Sequence, residues 1–159
     1  MIWVCRAGMN AIHHDYYVST SKIYLPWDGF SLDLSTAKTM AACKQIVIDE
    51  KHPTSRTSVS NWAGQINAFC NEMEIGDYVL IPFMKSKKYT WARVIGRYSY
   101  DPNNEYHLWH SRDVEILADD VSCDSFSQPL HYALGAYRTV FKVRKDLETQ
   151  LLTILESNR

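Results

Sequence analysis

The stretch from Ser60 to Tyr100 constrains the fold of this chain more than any other, because a helical period, a glycine break and two strand periods follow one another without a gap. Trp62, Ile66, Phe69 and Met73 recur at near-helical spacing behind Ser60, whose hydroxyl is suited to accept from a free N–H of the first turn. A short amphipathic helix from Ser60 to Met73 is therefore predicted. Gly76 breaks it, Tyr78 to Phe83 is a β-rich run closed by a proline, and Lys85 to Lys88 is a turn. From Tyr89 to Tyr100 the residues alternate, with Trp91, Arg93 and Arg97 on one face and Ala92, Val94 and Tyr98 on the other. A second strand returns beside the first, carrying aromatics and arginines together.

The flanking sequence supplies the partners of this unit. Ile2 to Arg6 and Ser21 to Leu25 read as short strands, with a half-helix over Asp15 to Val18 between them. Ser35 is placed to cap a helix carrying Met40, Cys43 and Val47 to about Lys51, which His52-Pro53 stops, and Thr54 to Thr57 links to the central unit. After the turn signal Asp101-Pro102-Asn103-Asn104, Tyr106 to Leu117 reads as a long strand pairing back, Pro129 opens a helix that Gly135 ends, and Thr139 to Val143 is a closing strand. Leu147, Leu151, Ile154 and Leu155 form a last amphipathic helix. Short strands with helices inserted among them predict an α+β domain on a curled, mostly antiparallel sheet, closing as a small β-barrel with flanking helices.

At 159 residues, 46% of them hydrophobic, the chain is one domain able to bury about two-thirds of its unfolded surface. Cys5, Cys43, Cys70 and Cys123 form no C-x-x-C pair and sit in apolar contexts, the pattern of reduced thiols in a cytoplasmic protein. No apolar run reaches membrane-spanning length, and Met1 leads directly into a strand-like segment, so neither an anchor nor a membrane partner is expected. The net charge of −1 excludes binding to nucleic acid by bulk charge alone. The charge is uneven, however: Lys85 to Arg112 holds six basic residues against two acids, and Asp113 to Asp124 holds five acids without a Lys or Arg.

The segments W-V-C-R-A-G, I-Y-L-P-W-D-G-F-S-L-D-L-S, S-N-W-A-G-Q-I-N-A-F-C-N-E-M-E-I-G-D-Y-V-L-I-P, A-R-V-I-G-R-Y-S-Y and H-S-R-D-V-E-I-L occur in that order. Together they resemble the N-terminal domain of Mrr-type, modification-dependent bacterial restriction endonucleases, a domain related to the EVE and YTH domains of the PUA-like superfamily. The resemblance implies a PUA-like reader domain over residues 1–144, with 145–159 a C-terminal helix leading toward a nuclease domain or subunit. It implies DNA carrying a methylated or otherwise modified base as partner, no cofactor, and a binding role in a restriction or antiphage defence system. An RNA-binding PUA-like module is the alternative. One departure is local: family members carry a more glycine-rich segment after R-A-G, and this chain has Met9-Asn10-Ala11 there.

Five tryptophans and ten tyrosines exceed the needs of a core this size. An extruded base requires flat apolar faces plus donors and acceptors for its edge, which Trp27, Asp28, Ser60, Asn61 and Trp62 can supply, with Tyr98, Tyr100 and Trp109 as a second set. The expectation is a base held between Trp27 and Trp62. Arg6, Arg56, Lys85, Lys87, Lys88, Arg93, Arg97 and Arg112 are candidates for phosphate contact, Arg93 and Arg112 being alternatively cross-strand partners of Asp113 and Glu115. An enzymatic reading needs Asp49 and Lys51 as part of an acid-x-Lys site for Mg²⁺ with Asp33 upstream, but the pattern around them is helical. His107 and His110 fall on opposite faces of a strand, His13 and His14 are adjacent, and no carboxylate or cysteine completes a metal site.

Overall fold

The computed structural model describes residues 1–53, 55–83 and 85–158; Thr54 of the Thr54 to Thr57 link and Arg159 at the end of the C-terminal helix lie outside the described residues. The elements in chain order are β1 (Ile2–Cys5), α1 (His14–Thr20), β2 (Lys22–Tyr24), α2 (Met40–Lys51), α3 (Arg56–Asn67), β3 (Tyr78–Pro82), β4 (Lys88–Val94), β5 (Ser99–Tyr100), β6 (His110–Ser122), α4 (Gln128–Leu134), β7 (Val140–Lys142) and α5 (Lys145–Ser157). The strands hydrogen-bond in the order β2-β6-β4-β3-β1-β7, with β5 beside β6. Only β1 and β3 run parallel among these pairs.

The sheet curls into a half-barrel because of β6 and β4. The first residues of β6 pair with β2 and β5, and the rest, from Val114 to Ser122, pairs with β4, so one strand of 13 residues turns the corner. Register shifts between Tyr89 and Trp91 and between Trp91 and Ala92 add local twist at the same place.

Alternation sorts the central strands onto two cores. Trp3, Cys5, Val79, Ile81, Ala92 and Val94 point to one face, where Tyr17 of α1, Cys43 and Val47 of α2, and Ala63 and Ile66 of α3 cover them. Ile2, Val4, Leu80 and Trp91 point to the other, against Leu130 and Leu134 of α4 and Leu147, Leu151 and Leu155 of α5. Strands covered on both faces read as nearly continuous apolar runs, which is how Ile2–Cys5 and Tyr78–Pro82 read. The mixed α+β class and the curled, largely antiparallel sheet agree with the sequence expectation.

Several boundaries differ. The cap of α3 is Ser55, whose hydroxyl accepts from the Ser58 N–H at 3.1 Å, and Ser60 lies one turn inside the helix. The first turns of α3 are polar and exposed, so no apolar period marks them. Thr39, not Ser35, caps α2 by accepting from the Ala42 N–H at 3.1 Å. The Tyr89 to Tyr100 strand divides: β4 stops at Val94, and β5 resumes at Ser99 against β6. The strand expected over Tyr106 to Leu117 begins at His110 and continues to Ser122, because Asn104 takes the Tyr106 and Leu108 N–H groups into a turn. At its C-terminus α3 passes into a π-helical turn over Ala68–Glu72.

Candidate functional site

The parallel pairing of β1 and β3 brings their C-terminal ends to the same side of the half-barrel, and antiparallel β7 begins there. The loop after β1, the Pro26-Trp27-Asp28 loop after β2, the end of α2, Trp62 of α3, Pro82-Phe83 and the Tyr137 to Thr139 segment surround a cavity of about 890 Å³. That size lies within the roughly 300–1,000 Å³ of small-ligand pockets. The loop after β1 is held in a turn that needs a glycine: Gly8 has φ +82°, and a Cβ there would meet the His13 ring at 3.0 Å. Asn10 and Ala11 follow with φ of 55° and 54°. A residue with a Cβ is strained in that backbone, alanine more than asparagine, and the strain falls on the cavity wall. The Met9-Asn10-Ala11 departure thus keeps glycine-like geometry without glycines.

Two indoles form the apolar corner of the cavity, and a buried phenyl ring backs them. The Trp27 and Trp62 centroids are 5.1 Å apart and tilted by 43°, and Phe30 lies 5.7 Å from Trp27 and 5.4 Å from Trp62. A flat ligand sandwiched between two rings needs about 7 Å of separation. The indoles therefore make one continuous wall instead of two facing ones. The Lys51 ammonium sits 5.1 Å from the Trp62 ring centre and 5.3 Å from that of Phe30, in cation–π contact. Gly29, at φ +88°, leaves room for it; a Cβ there would lie 3.0 Å from the Lys51 Nζ.

Hydrogen bonds pin this corner from behind. The Trp27 indole N–H donates to the Thr139 Oγ1 at 3.0 Å, and the buried Gln65 Oε1 accepts from the Thr139 and Val140 N–H groups at 2.8 and 3.0 Å. Gln65 lies three residues beyond Trp62, so α3 positions both the wall and the segment facing it. Phe30 is fixed through its carbonyl, which accepts from the buried His110 Nε2–H. The other His110 nitrogen, Nδ1, accepts from the Tyr98 hydroxyl at 2.7 Å, and that hydroxyl accepts from the Leu34 N–H at 2.9 Å. Burial lowers the His110 pKa and raises that of Tyr98, so both are neutral in this chain of bonds.

The aromatic residues singled out from sequence separate into three places. Trp27, Asp28 and Trp62 line the cavity together. Ser60 and Asn61 lie on α3 but face a neighbouring groove of about 790 Å³. Tyr98 and Tyr100 stack at 5.8 and 5.7 Å on His110, and the Tyr100 hydroxyl donates to the Ser31 carbonyl. Trp109 stacks on His107 at 5.1 Å. Sequence reasoning missed Lys51 and Arg138 as lining residues of the cavity and Phe30 as the buried ring behind its wall. Lys51 was visible only as part of Asp49-Glu50-Lys51. In the structure Asp49 accepts from the Gln45 amide at 2.9 Å on the exposed side of α2, while Lys51 turns to the rings.

A family model for a domain of unknown function, DUF8426, matches residues 3–142. The chain belongs to this family. No curated protein matches the sequence. Among solved structures, the YTH domain of the Zygosaccharomyces rouxii MRB1 protein, crystallised in complex with N6-methyladenosine RNA, aligns with a TM-score of 0.49 at 10% identity, over 96% of this chain and 84% of that one.

The basic candidates of this DUF8426 domain also divide. Arg112 is buried, and its guanidinium donates to the carbonyls of Gly96, Phe69 and Met73, the last two freed by the π-helical turn. Its surroundings are carbonyl oxygens, not the cross-strand carboxylates. Arg6 lines the cavity but donates to the Ala136 carbonyl at 2.8 and 3.2 Å and to that of Leu134 at 3.1 Å. Arg93 lies 5.5 Å over the Tyr78 ring. Lys88 pairs with Asp120 at 3.5 Å on the surface, where Lys85 and Lys87 are exposed. Arg97 borders a separate cavity beside Tyr98, and Arg56 is exposed at the start of α3. Burial raises the Cys5 and Cys70 thiols, Cys70 to about 12, so both stay protonated. No described helix is long and apolar enough to cross a membrane.

Proposed function

We propose that this domain reads nucleic acid by taking one extruded, modified base into the cavity at the ends of β1 and β3. The observation that carries the reading is the wall of Trp27 and Trp62, backed by the buried Phe30, opening on a cavity of about 890 Å³. An extruded base loses its stacking partners in the strand and regains them on an aromatic wall, worth roughly 1–3 kcal/mol per base. Asp28, on the rim, accepts from ring or exocyclic N–H groups, and Lys51 and Asn10 donate to ring nitrogens or carbonyls. The base lies against the corner, with the Gly8 to Ala11 loop and Phe83 across from it. A methyl or hydroxymethyl group adds apolar contact with that opposite wall.

The resemblance of the five sequence segments to the N-terminal domain of modification-dependent restriction enzymes supports the finer reading. On it, the substrate is modified DNA, and the domain is the specificity module of a defence system working with a nuclease domain or subunit. The test is a binding panel of one oligonucleotide, unmodified or carrying 5-methylcytosine, 5-hydroxymethylcytosine or N6-methyladenine, as duplex DNA, single-stranded DNA and RNA. Tighter binding of one modified DNA is the expected result. A preference confined to RNA would replace DNA with RNA in the reading, and equal affinity across the panel would refute base recognition.

A further inference from the structure

The groove of about 790 Å³ beside the cavity has no role in the reading above, and its chemistry differs from that of the aromatic corner. It runs between α3 and the α4–β7 segment. Arg138 lines both it and the cavity, so the two adjoin at that side chain. One wall is the exposed face of α3, with Thr57, Ser60 and Asn61 as uncharged donors. The other is β7, an end strand of the sheet, on which alternation sends Phe141 and Val143 into a core and leaves Lys142 and Arg144 exposed. Arg138 and Lys142 face the groove against one acid of its lining, Glu72, while Arg144 at its edge is paired with Asp146 at 3.1 Å. Tyr132 is 85% exposed on this groove, and Tyr137 is fully exposed on the cavity side of Arg138.

We infer that this groove is the track of the sugar–phosphate backbone: a single-stranded segment next to the extruded base leaves the cavity past Arg138 and lies between α3 and β7. This rests on the base-binding reading of the adjoining cavity. Arg138 and Lys142 neutralise successive phosphates, Ser60 and Asn61 donate to phosphate oxygens, and Tyr137 and Tyr132 offer faces for flanking bases. The Lys85 to Lys88 turn is a poorer track. Lys88 is engaged by Asp120 at 3.5 Å, and β6 places Asp119 beside that acid, whereas the side chains of Arg138 and Lys142 make no ion pair with a described residue.

The experiment compares Arg138→Ala/Lys142→Ala with Lys87→Ala/Lys88→Ala/Arg97→Ala and the parent, using an eight-nucleotide single strand, as DNA and as RNA, that carries the preferred modified base, and the corresponding free nucleoside. All altered residues are exposed or half-buried, and thermal melting checks the fold. The Arg138/Lys142 variant should bind the oligonucleotide about tenfold more weakly at low salt, with the slope of log K against log salt smaller by about 1.4, the value for two single-strand phosphate contacts. Its nucleoside affinity should equal the parent's. Unchanged oligonucleotide affinity and slope in this variant, whatever the Lys87/Lys88/Arg97 variant does, would overturn the track. A parent that binds the nucleoside no more weakly than the oligonucleotide would do so too. A normal groove effect without any preference for the modified base would instead overturn the base-binding reading and leave the track standing.

Discussion

Two clusters of aromatic rings in this domain differ in what their polar atoms do. Around His110, Tyr98 and Tyr100 stack on the imidazole, and every hydroxyl and ring nitrogen of the three is spent on a partner inside the protein: the Leu34 N–H and the Phe30 and Ser31 carbonyls, or one another. At the cavity, Trp27 and Trp62, backed by the buried Phe30, make a wall in which one indole N–H is tied to Thr139, and the wall faces the cavity beside a lysine. The first cluster is a brace that holds the loop carrying Phe30, and the second is the surface that the brace positions. Counting aromatic residues does not distinguish them, whereas following each donor and acceptor does.

The comparison breaks most visibly at His110. Replacing it with Ala leaves the Phe30 carbonyl without its imidazole donor and the Tyr98 hydroxyl without its acceptor, which should cost about 2–3 kcal/mol. A melting temperature lower by roughly 5–10 °C is expected in a domain of this size. The same residue sets a pH dependence. Because burial depresses its folded pKa below the ordinary 6.5, the unfolded chain takes up the proton more readily. Its contribution is full above pH 6.5 and is lost progressively as pH falls from there through the lower folded value. Unfolding by denaturant at pH 8 and pH 5 should show a larger drop for the parent than for His110→Gln; equal drops would show that His110 does not carry it.

Effects at the wall should fall on binding more than on folding. Trp27→Ala or Trp62→Ala should remove roughly 1–3 kcal/mol of preference for the modified oligonucleotide while the weak background affinity persists. Circular dichroism checks that the fold is retained. Tyr100→Phe, on the brace, should leave the preference untouched, and a loss there would reverse the assignment of the two clusters. Lys51→Met keeps the apolar stem and removes the cation from the Trp62 and Phe30 faces, an expected cost of about 0.5–1 kcal/mol in thermal stability. The smallest effect belongs to Lys88→Ala: its pair with Asp120 is exposed, so a change below about 0.5 kcal/mol is predicted by the same melting measurement.

The strands were legible because burial on both faces leaves continuous apolar runs such as Ile2-Trp3-Val4-Cys5, and α5 because Leu147, Leu151 and Leu155 repeat on one face. The cap of α3 was not, since Ser55 precedes an exposed turn in which no apolar period has begun, and that of α2 was not because Ser35 and Thr39 both stand ahead of the Met40 period. Arg112 looked like a surface charge on a strand; the carbonyls that satisfy it in the interior come from Gly96, Phe69 and Met73, which meet it only when the chain is folded. Trp27 and Trp62 stood out by their loop and helix positions. Lys51 did not, because its side chain meets the rings only once α2 and the Gly29 turn are packed together. Arg138, Lys142 and Arg144 were hidden for a related reason: three charges spread over a loop, a three-residue strand and its exit form a row only beside α3.

The chain has five indole groups, and their N–H resonances offer the most direct test of which aromatic surface meets a base. In a heteronuclear NMR titration with the modified nucleoside that the binding panel selects, the Trp27 and Trp62 indole signals should move together and saturably. The buried Trp3 and Trp91 signals and that of Trp109, beside the brace, should stay in place. Movement of the Trp109 signal with Trp27 and Trp62 stationary would place the ligand on the opposite cluster and contradict the account.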